Sequence, residues 1–299
     1  MPFLMLGEAL VDLICEQAAE GIGDARSFTP HFGGASANVA VSAARAGGRP
    51  ALGGGAGEDP WGRWLLDRLR AEGVDTRWFA LGRGRQTPIA FATVTAGGEP
   101  SFAIYGEGIS AALVAFGDRA DEAVEASEAL VFASNTLVGP EREVTLRARD
   151  RARGLGRPIC FDPNLRLERW PSTEEAVEAA RGCLEGCLLV KANANEARLL
   201  TGERDPAAAA EAIAAGGAEL VVITLGPEGA LARGALAHEV PGRAARVIST
   251  IGAGDAFFGT LLAGLQTAGW NTGDPALRDV LGAAAEAGAR ATESWGAVA

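Results

Sequence analysis

The strongest constraint on this chain is a rhythm in which short apolar runs alternate with stretches of helical periodicity. Strand-like runs at residues 1–7, 51–55, 129–134, 158–161, 188–191 and 219–224 are interleaved with helical patterns at 35–46, around Trp64, Leu65 and Leu69, and at 141–153. Such alternation predicts βα units, and hence a mostly parallel sheet with helices on both faces and a ligand crevice beyond the carboxyl ends of the strands. Residues 26–32, 87–96 and 101–105 break the rhythm, the last two alternating around the turn AGGEP. Strands of that kind do not join a parallel sheet easily. They predict a small antiparallel lid, inserted from about 13–32 and 86–110 into a single body over 1–299, that covers substrate or a second subunit.

The segment STIGAGDAFFG, residues 249–259, anchors the functional reading. Gly252, Ala253 and Gly254 form a glycine-rich turn that runs into Asp255 and an apolar helix. A helix start leaves N–H groups unpaired and carries partial positive charge, so a phosphate can approach those donors. Asp255 beside such a cradle suits a base that takes a proton from a nucleophile attacking the bound phosphate. An N-capped helix with no further role is the local alternative.

Net charge is −11 over 299 residues, and no basic cluster is long enough to track a nucleic-acid backbone. No run approaches the roughly 18 apolar residues of a membrane span. The first residues, with Glu8 and Asp12 inside their apolar run, read as a strand rather than a leader. Cys15, Cys160, Cys183 and Cys187 lack metal-ligand spacing and lie far from His31 and His238, which predicts reduced, buried thiols in a cytoplasmic protein. Lys191 is the only lysine among 27 basic residues. It marks either a place that arginine's planar head cannot fill or a chance survivor.

Other candidates fall where the rhythm places strand ends. Asp12, read at the end of the first strand, is a candidate for gripping hydroxyls. Gly33 and Gly34 open a small-residue helix with Asn38 in its first turn, either at a ligand or as a simple turn. GAGED at 55–59 is read as a turn, and no glycine loop ending in Lys and Ser or Thr occurs. Asp162, Asn164 and Arg166 follow a strand and offer acceptors, an amide and a cation to a phosphate or sugar, or form a loop ion pair. Asn193 and Glu196, three apart at a helix start, could hold hydrated Mg²⁺ or form a capping box. Gly226 and Gly229, after Thr224, leave room for a flat or phosphorylated group.

Taken in order, GGASAN, GAGEDPWG, DPNLR, KANANE, TLGPEG and STIGAGD resemble the ribokinase-like carbohydrate kinases, also called the phosphofructokinase B family, over essentially the whole chain. The resemblance implies a three-layer α/β/α sandwich with a β lid, sugar between lid and sheet, and ATP along the carboxyl rim. It implies Asp255 as base, the Gly252–Gly254 backbone as anion hole, and Asn193, Glu196, Thr224, Gly226 and Gly229 toward ATP, with Glu196 near Mg²⁺ through water; Lys191, at the same strand end as Asn193, is expected toward ATP with them. Asp12, Gly33, Gly34, Asn38, Tyr105, Asp162, Asn164 and Arg166 fall toward the sugar.

Within the family, GEALVDLI and DPNLRLERWPS look most like fructokinases, followed by 2-keto-3-deoxygluconate kinases. Members of the latter branch carry an arginine two positions after the lid tyrosine, whereas this chain has Glu107 after Tyr105, which favours a neutral hexose. A sugar or nucleotide sensor without turnover is the alternative from another class. A dinucleotide oxidoreductase is disfavoured because no GxGxxG turn follows the first strand. Many relatives read DTxGAGD, the leading aspartate helping to hold a monovalent cation. Ser249 stands in its place, which predicts weak or no K⁺ activation. The expected partners are sugar and ATP, with a homodimer through the lid.

Overall fold

The computed structural model describes residues 1–98, 100–105, 113 and 116–298. Glu107, which carried the argument for a neutral hexose, lies outside the described residues. The chain opens with β1 (Phe3–Leu6), passes into β2 (Leu10–Ala18) and β3 (Thr29–Gly33), and returns through α1 (Ala35–Arg45), β4 (Pro50–Gly57), α2 (Pro60–Ala71) and β5 (Phe79–Gly82). It leaves again through β6 (Ile89–Val94) and β7 (Pro100–Tyr105). Then follow α3 (Ala120–Glu125), β8 (Leu130–Ala133), α4 (Glu141–Gly154), β9 (Ile159–Asp162), α5 (Thr173–Arg181), β10 (Leu189–Asn193), α6 (Ala194–Thr201) and α7 (Pro206–Ala215). Strands β11 (Leu220–Thr224), β12 (Gly229–Gly234) and β13 (His238–Pro241) precede α8 (Ala253–Thr267) and α9 (Leu277–Ala291).

Nine strands form the main sheet in the order β13-β12-β11-β10-β9-β8-β1-β4-β5. Pairings from β11 to β5 are parallel, and β12 and β13 are antiparallel additions at one edge. Helices cover both faces, so β1, β8 and β9 are buried along their whole length, as the continuous apolar runs require. One core layer contains Val39, Leu65, Phe258 and Leu281 under α1, α2, α8 and α9. The other contains Ala148, Val177, Leu200 and Ile213 under α4 to α7. The chain grows outward from β1 in one direction to β4 and in the other to β8, so the switch point lies beside β1, where open α/β sheets hold ligands.

Strands β3-β2-β6-β7 make the lid. The β2–β3 and β6–β7 pairs are antiparallel, while β2 and β6 run parallel. The cause is topological: β2 leaves after β1 and β6 after β5, so both rise from the same rim in the same direction. Asp12 accordingly sits within lid strand β2, not at the end of the first parallel strand as its position in the sequence suggested. At the tip of the β6–β7 hairpin, the Gly98 carbonyl accepts hydrogen bonds from both the amide and the hydroxyl of Thr250, each at 3.1 Å. The lid is therefore fastened to the segment that leads into α8. Among the described residues, no helix is long and apolar enough to cross a membrane.

Candidate active site

Two helices of the site begin without a capping side chain. At both α1 and α8 the N-cap is a glycine, Gly34 at φ 95° and Gly252 at φ 79°, backbone conformations that disfavour any other residue. By contrast, α2, α5 and α7 are capped by Asp59, Ser172 and Asp205, which also spend their carboxylates or hydroxyl locally. Asp59 further accepts from the Thr87 amide and hydroxyl at 2.8 and 2.7 Å, so GAGED is a structural turn away from the cavity. For α1 the missing cap is supplied from a distance. Glu8, buried just after β1, accepts from the Ala35 amide at 3.0 Å, the Ser36 hydroxyl at 3.2 Å and the Asn135 amide at 2.7 Å. The start of α8 receives no such side chain; the Ala253 amide donates to the Thr250 carbonyl at 3.3 Å, and the Gly254 and Asp255 amides that follow are open to a ligand.

A cavity of about 780 Å³ lies between the lid and the carboxyl ends of the parallel strands. Asp12, Gly34, Asn38, Asn164, Arg166, Lys191, Asn193, Glu196, Thr224, Gly226, Gly252, Gly254 and Asp255, drawn from six separate parts of the chain, line it. Asp162 stands just behind the wall, where Oδ2 accepts from Lys191 Nζ at 2.9 Å and Oδ1 from the Asn164 amide at 3.1 Å. Lys191 is buried, and a side chain at Gly254 would begin 3.3 Å from its Nζ. The single lysine of the chain therefore places its charge directly against the glycine turn. Burial pulls its pKa down, but Asp162, Glu196 and Asp255 outweigh that and hold it above the usual lysine value.

Besides Asp162, four expected positions are not on the cavity wall. Gly33 packs behind Asp12, where any side chain would collide with the carboxylate. Tyr105 points from the edge strand of the lid to its outer face, 57% exposed and edge-on to Phe91. Gly229, at φ 104°, is pressed against the Val240 carbonyl and closes the β12–β13 edge. Ala253 contributes its place in the first turn of α8. Glu8, Asn135, Glu168, Arg169, Phe102 and Ile104 line the cavity without having been singled out. Asn135 follows the end of β8 and is reachable by the strand-end rule. Arg169, bonded to Glu141 at 2.9 Å and to the Asn135 carbonyl at 2.5 Å, has no signal in its local spacing.

The capping box at α6 is formed: Glu196 accepts from the Asn193 amide and Asn193 from the Glu196 amide, both at 2.9 Å. The other Glu196 oxygen accepts from the Leu165 amide at 2.9 Å. Burial and the neighbouring Asp162 push the Glu196 pKa up.

Asp255 accepts from Asn38 Nδ2 at 2.9 Å. Burial pushes its pKa up to about 6, and Asp162 adds to that, while Asn38, Lys191 and Arg166 pull the other way. Asp12 is pushed to about 8, first by burial and then by Asp255 and Glu8. The two carboxyls thus differ in state near neutral pH, with one available as a base and the other able to donate a hydrogen bond.

The pfkB family of carbohydrate kinases matches residues 3–299. The chain belongs to that family. Fructokinase-1 of Oryza sativa subsp. japonica is 34% identical over 266 residues, covering 86% of this pfkB chain and 80% of the rice protein. A double mutant of fructokinase from Vibrio cholerae O395, solved with fructose, ADP and potassium ion bound, superposes with a TM-score of 0.82 at 30% identity, covering 99% of this chain and 94% of that one. An aminoimidazole riboside kinase from Salmonella enterica, complexed with its riboside and an ATP analogue, gives a TM-score of 0.80 at 28% identity, covering 100% and 95%. As a pfkB member the chain is a carbohydrate kinase with the fold of that family, a large mostly parallel sheet and a small second sheet.

Proposed function

We propose that this kinase transfers the γ-phosphoryl group of ATP to the primary hydroxyl of fructose. The observation that carries the reading is Asp255, with a pKa near 6, in the uncapped first turn of α8 at the floor of the lidded cavity. A base that is deprotonated at neutral pH but still basic is suited to accept the hydroxyl proton as the nucleophile attacks. The Gly252–Gly254 backbone, with Lys191 beside it, stabilises charge on the transferred group. Asp12, Asn38, Asn164 and Arg166 grip the sugar under the lid. Asn193, Glu196, Thr224 and Gly226 lie along the strand ends toward the nucleotide. The relatives named fructokinase support fructose as the sugar.

Among the described residues, no three His, Cys, Asp or Glu side chains group to hold a metal. Mg²⁺ therefore fits as a companion of the nucleotide phosphates, whose charge it neutralises, with Glu196 acting through water by way of the lone pairs its backbone contacts leave free. For K⁺ the chain offers Ser249, buried, with its hydroxyl already accepting from the Ile251 amide at 3.2 Å. That is a poor cation ligand, and we propose little dependence on K⁺. The exposed Tyr105, next to Phe91 and Phe28 on the outer face of the lid, supports pairing of two lids into a homodimer. The free, buried cysteines accord with a cytoplasmic setting.

A 2-keto-3-deoxygluconate kinase is the second reading, favoured by Arg166, a cavity cation that makes no ion pair among the described residues. ATP consumption with fructose, ribose, adenosine and 2-keto-3-deoxygluconate separates the readings. Fructose is expected to give the highest kcat/KM. A preference for the acidic sugar would assign Arg166 to its carboxylate, and no turnover with any of the four would remove the fructose proposal.

A further inference from the structure

We infer that Asn38 is the positioning residue of Asp255, holding the base toward the cavity through a donor that the close crossing of α1 over α8 fixes in place. This rests on the reading of Asp255 as the base. An aspartate in the first turn of a helix has a competing use, since its carboxylate can fold back onto the free N–H groups of its own helix start. In this molecule Asp255 accepts instead from Asn38 Nδ2 at 2.9 Å, across 217 residues of chain.

The crossing explains why Asn38 cannot drift away. Gly259 lies one turn after Asp255 on the same face of α8. A Cβ there would stand 2.5 Å from the Val39 carbonyl oxygen, 2.6 Å from Ser42 Cβ and 2.7 Å from the Ala43 amide. The backbone of α1 therefore rests directly on α8, and the residue preceding Val39 is delivered to the turn that carries Asp255. Asn38 is only 4% exposed, so its side chain has no solvent-side alternative.

The rest of the amide points to a second contact. Because a carboxylate can only accept, Nδ2 must face Asp255, and Oδ1 is left as a buried acceptor without a partner among the described residues. Asn38 lines the cavity. A sugar hydroxyl donating to Oδ1 would polarise the amide and strengthen the Nδ2 bond to the base. One side chain thereby couples occupancy of the sugar site to the orientation of the base. The other groups that face Asp255 are Lys191 and Asp162 from β10 and β9, Arg166 from the loop after β9, and Asp12 from the lid. None of them is altered by a change at Asn38.

The test measures kcat and sugar KM against pH for Asn38→Ala and Asn38→Asp, with Asp255→Asn as control. Losing a donor to the charged form raises the pKa of the base, and a second carboxylate in its place raises it further. The acid limb of kcat is expected to move up by about one pH unit in Asn38→Ala and by more in Asn38→Asp. Plateau kcat should fall about tenfold or more as the base loses its orientation. An unmoved acid limb with only a raised sugar KM would overturn the inference, leaving Asn38 as a sugar contact. The near-isosteric Asp variant carries the test if the Ala variant does not fold. Asp255→Asn separates the two levels of argument: if it keeps more than about a tenth of kcat, the base reading itself fails. If it is inactive while the limb of the Asn38 variants stays in place, only the positioning role fails.

Discussion

The upward shift of Asp255 to about 6 means that burial, with Asp162 adding to it, outweighs Asn38, Lys191 and Arg166 together. The free enzyme should then lose kcat/KM as pH falls through about 6, because the base must be unprotonated to accept the sugar proton. Asp255→Asn should lower kcat by about 10²- to 10⁴-fold with ATP binding retained, which a nucleotide titration of the inactive variant checks. Asp12 makes a stability prediction of its own. Its folded pKa of about 8 lies above the ordinary aspartate value of 3.8, so the folded protein holds this proton more tightly than the unfolded chain does. The resulting stabilisation is full below about pH 4 and is lost as pH rises through about 8. Asp12→Asn removes the titration, so its Tm should exceed that of the wild type by a few degrees at pH 8, with the gap closing toward pH 4. A gap independent of pH would refute the assigned cause. Sugar turnover should fall in the same variant, a trade of stability for function.

At the scale of elements, the small residues of α1 and α8 have a packing meaning that their local sequence does not declare. Gly259 reads in the chain as one more glycine of an apolar helix, yet it is where two helices touch backbone to backbone. Gly259→Ala should cost about 1–3 kcal/mol through overpacking. It should also lower kcat while leaving sugar KM nearly unchanged, since Gly259 is not on the cavity wall. Thermal unfolding and steady-state kinetics on the same preparation check both effects. The segments themselves were legible where hydrophobic period and punctuation agree, as for β8, α4 and β9. Asp12 was misplaced for a physical reason. The apolar run around it continues from β1 into β2 with only Gly7, Glu8 and Ala9 between them, and nothing in periodicity says that the chain has left one sheet for another.

For the whole molecule, ion dependence tests how far one substitution reaches. A K⁺ site loses a formal charge when Ser249 stands for aspartate, and here the hydroxyl is already engaged by the Ile251 amide. Activity titrated with KCl at constant ionic strength, in buffer free of sodium and potassium, is expected to rise little. Saturable activation of about tenfold, or about 1.4 kcal/mol of barrier, at millimolar K⁺ would sink the idea. Ser249→Asp is expected to restore part of any response. By itself the sequence determined the layered α/β body, the small second sheet and the glycine turn that opens α8 ahead of Asp255. These depend on interactions between neighbours in the chain: apolar period, turn residues and an uncapped helix start. Only the tertiary structure decided that Tyr105 and Gly229 face away from the cavity, that Glu8 caps α1, that Arg169 reaches the wall, and that Asn38 meets Asp255. Each of these depends on which surfaces the sheet order and helix crossings bring together, and contacts across hundreds of residues leave no period in the sequence to be read.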